Sequence, residues 1–361
     1  MKIIIRNCNV AELDIPLKYA TKLYNEFAIR HPNAFYLRTR QRGMQNWDGK
    51  IKYITKTGQF KIGLLPSVYK RCIELGIKPI IVDMRQPLPK VSKVVTQIGK
   101  YKLRPEQEKA VKAILSNKLG ETPFQIGVLD YTVNAGKTLI MSALYLSYKK
   151  QLKTLLITND SDWLNQARDE FKQYLPGEDI TFVQGKVLNW SNFTIGMVQS
   201  ISRNMRYYQN ELAKIDMVLI DEADQGGSKQ YQNVITRLFN TRVRIGLSGT
   251  IYMSKLAKDK VKNMNLRCFF GDVIAEFKLK DSIKKGYSTK TIVKTVEGKP
   301  WFGNWESDCM AYNEIYDDSI TNNKIAWTMA LDRLKWNLNQ GRYPALVVCK
   351  HIAHCENLYK F

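Results

Sequence analysis

From residue 101 onward the chain alternates short apolar runs with stretches of helical spacing, and this alternation restricts the fold more than any other feature. "FQIGVLDY", "KTLLIT", "NFTIGMV", "IDMVLID" and "RVRIGLSG" have the form of strands buried on both faces. Around and between them, "PEQEKAVKAIL", "GKTLIMSALYLSYKK", "SDWLNQARDEFKQY" and "QYQNVITRLFN" place apolar residues one helical turn apart. Strands joined through helices run parallel, so residues 101–278 read as an α/β domain built on a doubly wound parallel sheet. Such sheets keep their ligands at the carboxyl ends of the strands, so the residues that follow each run are the ones that bear on chemistry.

The first 88 residues read differently, as a small α+β domain. "KIIIRNCNV" is a strand, and "DIPLKYATKLYNEFAIRH" is a helix capped at Asp14 with Leu17, Ala20, Leu23, Tyr24 and Phe27 at helical spacing. Asp48-Gly49 is a turn signal between the alternating segments "YLRTRQR" and "KIKYIT", which predicts a β-hairpin. A helix from Ser67 to Leu75, closed by Gly76, and a strand "KPIIVD" complete the unit. The stretch from 85 to 100 holds two prolines and no clear period, and residues 89–100 are expected to be a linker. Residues 275–295 read as a crossing into a further domain, 279–361, with a helix over 322–338 and a strand "ALVVC" at 345–349.

Charge narrows the choice of partner. The 361 residues carry 56 Lys and Arg against 33 Asp and Glu, and residues 1–100 hold 19 of the basic but only 6 of the acidic ones. A front domain this basic points to a polyanion. No apolar run is long enough to cross a bilayer, and "MKIIIRNCNVAELD" turns acidic before a signal-peptide core could form, so a soluble cytoplasmic protein is expected. Six cysteines without a C-x-x-C pair fit reduced thiols rather than zinc ligands or disulfides.

After the run "FQIGVLDY" comes "YTVNAGKT", residues 131–138. Gly136, Lys137 and Thr138 stand as in a phosphate-binding loop, but Tyr131 occupies the place of its leading glycine. A strand, loop and helix in that order aim backbone N–H groups and the positive helix end at phosphate, so anion binding survives the loss of that glycine. Asn134 tolerates positive φ where such loops often have glycine. Lys137 is placed to reach the β- and γ-phosphates of ATP, and Thr138 to ligate Mg²⁺. "MVLIDEAD", residues 217–224, ends an apolar strand in acids, with Asp221 suited to Mg²⁺ and Glu222 suited to activating water. "RIGLSGT" ends another strand in Ser248, Gly249 and Thr250.

In this order "YTVNAGKT", "LIDEAD" and "SGT" resemble motifs I, II and III of superfamily 2 helicases, and the resemblance extends over residues 101–361. It implies a RecA-like motor domain over 101–278 and, with "LVVCKHIAHCENLY" in the place of motif IV, the start of a truncated second RecA-like domain over 279–361. "LRPEQEKAV" is similar to the family's adenine-recognition segment, which casts Arg104 and Gln107 as base contacts alongside the loop residues Asn134, Ala135, Gly136, Lys137 and Thr138. "LLITNDSDWLNQ" and "TIGMVQS" resemble the segments lining the nucleic-acid track, with Thr158, Gln166 and Gln199 as the contacts implied. Asp224, Ser248, Gly249 and Thr250 are then the coupling residues. Within the superfamily, "NWDGKIKYI" and "GLLPSV" in a basic front domain resemble the bacteriophage UvsW-type branch-migration helicases, which also depart from the glycine pattern of motif I.

That resemblance implies an ATP- and Mg²⁺-dependent DNA helicase acting on forks or four-way junctions in recombination or repair. Motifs V and VI do not fall within these 361 residues, so weak hydrolysis by this chain is expected. For DNA, the residues point to Arg38, Arg40 and Arg42 as a stripe on one side of the hairpin strand, with Lys50 and Lys52 nearby and Trp47 at the tip for base stacking. Two other readings stay open. A DEAD-box RNA helicase is favoured by the letters D-E-A-D but disfavoured by "VNAGKT", "SGT" and the basic front; the other is a nucleic-acid-binding protein with a vestigial nucleotide pocket. Glu276-x-Lys278 has only Asp272 nearby upstream, too close to build a separate nuclease metal arm, so it is read as chance.

Overall fold

Every residue of the strands Ile126–Tyr131, Met217–Asp221 and Val243–Ser248 is buried, as the unbroken apolar runs require of a sheet covered on both faces. The computed structural model describes residues 1–40, 43–91, 93–185, 187–252, 257–290, 320–341, 346–349 and 351–360. Its contacts divide the chain into two compact units, Met1–Thr289 and Lys290–Phe361.

The first unit opens with β1 (Lys2–Ile5), β2 (Val10–Asp14), β3 (Ala28–Arg30), β4 (Lys50–Lys52), β5 (Gln59–Lys61) and β6 (Ile80–Asp83). Four of these form a sheet ordered β5-β2-β1-β6, against which α1 (Leu17–Glu26) and α3 (Leu65–Glu74) supply apolar side chains. Two short ladders, β7 (Gln97–Ile98) with β8 (Tyr101–Lys102) and β9 (Lys118–Leu119) with β10 (Thr122–Pro123), flank α4 (Pro105–Ser116).

The main sheet contains β11 (Ile126–Tyr131), β12 (Thr154–Thr158), β13 (Ile180–Gln184), β14 (Val187–Leu188), β15 (Phe193–Met197), β16 (Met217–Asp221), β17 (Val243–Ser248) and β18 (Val273–Phe277). Its order is β14-β13-β15-β12-β16-β17-β11-β18, parallel throughout except for β14. α5 (Lys137–Ser147), α6 (Ser161–Tyr174), α7 (Val198–Arg203), α8 (Met205–Leu212), α9 (Lys229–Ile235), α10 (Ala257–Phe270) and α11 (Leu279–Lys284) make the connections. This is the doubly wound α/β class expected from the alternation, and β16, β17 and β11 lie side by side. Asp130 is level with Ser248, and Asp221 with Leu247, so the three chemistry-bearing strand ends finish together.

Three expectations are corrected. "YLRTRQR" is not a hairpin strand: Ala34–Arg40 is the helix α2, and the partner of β4 is β3, with Arg30 opposite Lys50. Ala34 is buried and Leu37 half-buried, three positions apart, and this helical period outweighs the alternation over so short a stretch. Second, residues 275–277 do not belong to a crossing, because β18 extends the sheet beside β11. Third, in the second unit, Lys324–Asn339 is helical as expected, capped by Asn323 Oδ1 accepting from the N–H groups of Ile325 and Ala326, and Ile352–Lys360 is a second helix. Residues 346–349 of "ALVVC" form no strand, and Ala345 lies outside the described residues. A strand needs a pairing partner, and none is present among the described residues of that unit.

The two sheets of the first unit share a core. Ile3, Leu23, Leu64 and Val68 belong to the same apolar cluster as Val218, Ile220, Leu266 and Phe270, while a second cluster covers the other face of the main sheet. Gly63 is required at the seam, since a Cβ there would overlap the carbonyls of Arg267 and Cys268.

Candidate nucleotide and nucleic-acid site

The loop after β11 turns at Asn134, with φ +63°, and again at Gly136, with φ +71°, before α5 begins at Lys137. Asparagine and glycine are the residues for which left-handed backbone costs least. Tyr131 does not enter the loop. Its side chain is fully buried, its hydroxyl donates to the Glu106 carbonyl at 2.8 Å, and its ring lies 6.0 Å from that of Phe277. Burial pushes the phenol up to about 12. The residue in the leading glycine's place therefore anchors β11 to α4 and leaves the phosphate-facing backbone to residues 132–136.

Gln107 underpins that backbone. It is 2% exposed, its Oε1 accepts from the Arg104 N–H at 2.9 Å, and its Nε2 donates to the Ala135 carbonyl at 2.9 Å. Arg104 Nη2 donates to the Asn134 carbonyl at 3.0 Å while its guanidinium lies 4.3 Å over the Tyr287 ring. Both residues hold the loop in this structure. Gln107 could meet a base only by releasing one of these bonds.

Lys137 Nζ lies 3.3 Å from Asp221 Oδ1 and 3.3 Å from Glu222 Oε1, although 84 positions separate the lysine from the first acid. Asp221 is nearly inaccessible, and Glu222 projects with a side chain 46% exposed. Glu222 has φ +50°, a costly conformation for a non-glycine residue, and it sits at the turn out of β16. Asp221 Oδ1 is buried, within ion-pair reach of Lys137, yet accepts no hydrogen bond. An orphaned carboxylate oxygen beside a phosphate-type loop fits a Mg²⁺ ligand. Thr138, 9% exposed at the start of α5, is the second protein ligand available. Among the described residues there is no group of three or more His, Cys, Asp or Glu that could hold a metal.

The third strand end closes on the second. Ser248 Oγ donates to Asp224 Oδ1 at 3.2 Å, lies 3.4 Å from Thr250 Oγ1 and accepts from the Thr250 N–H at 3.2 Å. Gly249 passes so near the first loop that a Cβ would stand 3.2 Å from Thr132 Cα. Asp224, Ser248, Gly249 and Thr250 thus lie between the acids and the loop. Tyr231, which no motif marks, buries its hydroxyl without a partner, and burial, with Asp221, Asp224 and Glu222 nearby, raises its pKa. A tyrosine on a short helix gives no sequence signal for this placement.

The flanking candidates scatter. Thr158 is buried and accepts from the Asp160 N–H at 3.2 Å, whereas Gln166 is exposed and donates to Glu170 at 3.0 Å. Gln199 donates to the Asn159 carbonyl at 3.2 Å, and Asn159 in turn donates to Gln225 at 2.6 Å, joining the segment after β15 to that after β16. In the front unit, Arg38 and Arg40 lie on α2, where positions two apart diverge around the axis, so the single-sided strand stripe is not formed; Arg42 lies outside the described residues. Trp47 is half-buried, its Nε1 donates to the Lys50 carbonyl at 3.0 Å and its ring meets His31 edge-on, which commits it to the loop. Lys52 pairs with Asp48 at 3.2 Å and lies over the Tyr24 ring, while Lys50 is exposed.

A parallel sheet whose adjacent strands end in a phosphate-type loop, a D-E-A-D segment and an S-G-T segment is the arrangement that the resemblance to superfamily 2 helicases implies. Residues 100–253 match the family model described as the res subunit of type III restriction enzymes. The ATP-dependent DNA helicase UvsW of Enterobacteria phage T4 is 22% identical over 343 residues, 87% of this chain and 64% of the T4 protein. A protein of Acanthamoeba polyphaga mimivirus named as an ATP-dependent RNA helicase, L396, is 26% identical over 147 residues, 40% of this chain and 27% of its own. This chain therefore spans less than two thirds of the length of either relative. A crystal structure of T4 UvsW superposes with a TM-score of 0.60 at 20% identity, covering 76% of this chain and all of that one. A second T4 UvsW structure gives 0.59 at 19% identity over the whole of this chain and 72% of the other, so the fold is shared.

Proposed function

We propose that this protein is an ATP-driven DNA translocase that remodels branched DNA, with the basic front unit holding duplex near the branch. One observation carries the reading: the lysine of the loop and the two acids of β16 meet within 3.3 Å. Lys137 is positioned to transfer its charge from these carboxylates to the β- and γ-phosphates of ATP. Glu222, projecting from its turn, is the group that orients water toward the γ-phosphate, a task separate from that of Asp221 and Thr138, the residues that would hold Mg²⁺. That ion, when bound, supplies charge neutralisation at the phosphates. The bond from Ser248 to Asp224 offers the route by which the state of the acids reaches the segments at 158–166 and 199, because Gln225 adjoins Asp224 and binds Asn159. The net excess of basic residues in 1–100 supports sequence-independent phosphate contacts.

The mimivirus relative's name favours RNA as the alternative substrate. ATPase and strand-displacement assays on forked DNA, four-way junctions, linear duplex and duplex RNA decide between them. Stimulation by branched DNA, lost in Lys137→Ala, is expected. Stimulation by RNA alone, or activity retained in Lys137→Ala, refutes the proposal.

A further inference from the structure

A cavity of about 610 Å³ opens at the edge of the main sheet opposite the Lys137 site, where Asp216 and Arg242 immediately precede β16 and β17. Arg6, Met84 and Arg85 line its other wall from the ends of β1 and β6, so it straddles the seam between the two sheets. Arg6 pairs with Glu12 at 2.6 Å, but deeper in the wall the charges do not balance. Asp83 binds Arg85 through two bonds of 2.8 Å and pairs with Arg242 at 3.3 Å, while Arg242 also donates to the Gln86 carbonyl. Arg244, one layer deeper, donates to the Cys8 carbonyl and Asn9 Oδ1 at 2.8 Å and to the Phe269 carbonyl at 3.2 Å.

Two buried guanidiniums, those of Arg85 and Arg242, thus share one carboxylate, and Arg85 Nη1, Arg242 Nε and, deeper, Arg244 Nε have no acceptor. The side chains of Arg85 and Arg242 are only 2% and 9% exposed. Burial draws the pKa of Arg242 below the usual range and that of Arg244 to about 10, the mark of charge held at a cost. Buried donors left without acceptors call for a partner, and a cluster of guanidiniums is matched by phosphate. The one acid in the lining is Asp216, whose pKa burial raises and which accepts from the Lys153 N–H at 3.0 Å. Phe239 and Met84, 46% and 62% exposed, add apolar surface to the lining, and the volume falls within the roughly 300–1,000 Å³ of small-molecule sites.

We propose that this cavity binds a nucleoside phosphate, its phosphate drawn to Arg85 and Arg242 with Arg6 at the mouth and its base lying on Phe239. The proposal does not depend on the reading of the Lys137 site. Equilibrium dialysis of labelled ADP against the full chain carrying Lys137→Ala tests it. About one ADP per chain should remain, and Arg6→Gln with Phe239→Ser should weaken that binding by about tenfold, the worth of one charge-assisted hydrogen bond. Both side chains are exposed, and unchanged far-UV circular dichroism confirms that the variant folds. Pyrophosphate should displace the ADP and adenosine should not. Absence of residual ADP, indifference of the residual binding to the two substitutions, or equal displacement by adenosine overturns the proposal. Loss of the Lys137-dependent fraction alone concerns only the other site.

Discussion

Replacing Tyr131 by the glycine usual at the head of a phosphate-binding loop should damage this protein. The side chain is fully buried against Phe277 and bonded to the Glu106 carbonyl. Truncating a buried aromatic costs ~3–5 kcal/mol, the missing hydrogen bond ~1 kcal/mol, and a glycine within a strand a further ~0.5–1 kcal/mol. The total, roughly 4.5–7 kcal/mol, rivals the whole stability of an ordinary domain at ~5–15 kcal/mol. Tyr131→Phe keeps the ring and should lose only ~1 kcal/mol. Urea unfolding followed by tryptophan fluorescence measures both, with ATPase activity followed in parallel. A Tyr131→Gly protein as stable as the parent, or one that hydrolyses ATP faster, would falsify the claim that this tyrosine is an anchor and not a defect of the loop.

Ser248→Ala removes the bond to Asp224 and should lower strand displacement more than ATP turnover; equal losses in the two assays would count against a coupling role. Arg38→Glu should weaken duplex binding and reduce the slope of log K against log salt by about 1, for one phosphate no longer neutralised, while Trp47→Phe should leave the slope unchanged. Tyr131 and Tyr148 are acids whose pKa burial raises from 10 to about 12, so the folded state holds their protons longer than the unfolded chain does. The stability they protect is complete below pH 10 and falls as the pH rises toward 12. Urea midpoints across that range check the sign, and a midpoint that climbs above pH 10 contradicts it.

The site was readable in the sequence because a parallel sheet brings consecutive strand ends to one edge. Lys137, Asp221, Glu222, Asp224 and Ser248 needed only the strand assignments and the register that sets Asp130 beside Ser248. Gln107 was visible as a motif residue but not as a prop for the loop, since its partner is a carbonyl 28 positions away and backbone acceptors leave no trace in sequence. Arg244 did leave a trace. A charged residue inside the apolar run "RVRIGLSG" demands fixed acceptors, and these come from Cys8, Asn9 and Phe269. The α2 segment resists a reading from sequence because seven residues satisfy two periodicities, and burial of Ala34 settles the choice.

Because the front sheet and one face of the main sheet draw on a single apolar cluster, the basic module and the sheet behind it have one interior between them. Such a module cannot be unbolted and exchanged at residue 88; swapping it would mean redesigning the face of the main sheet that it covers.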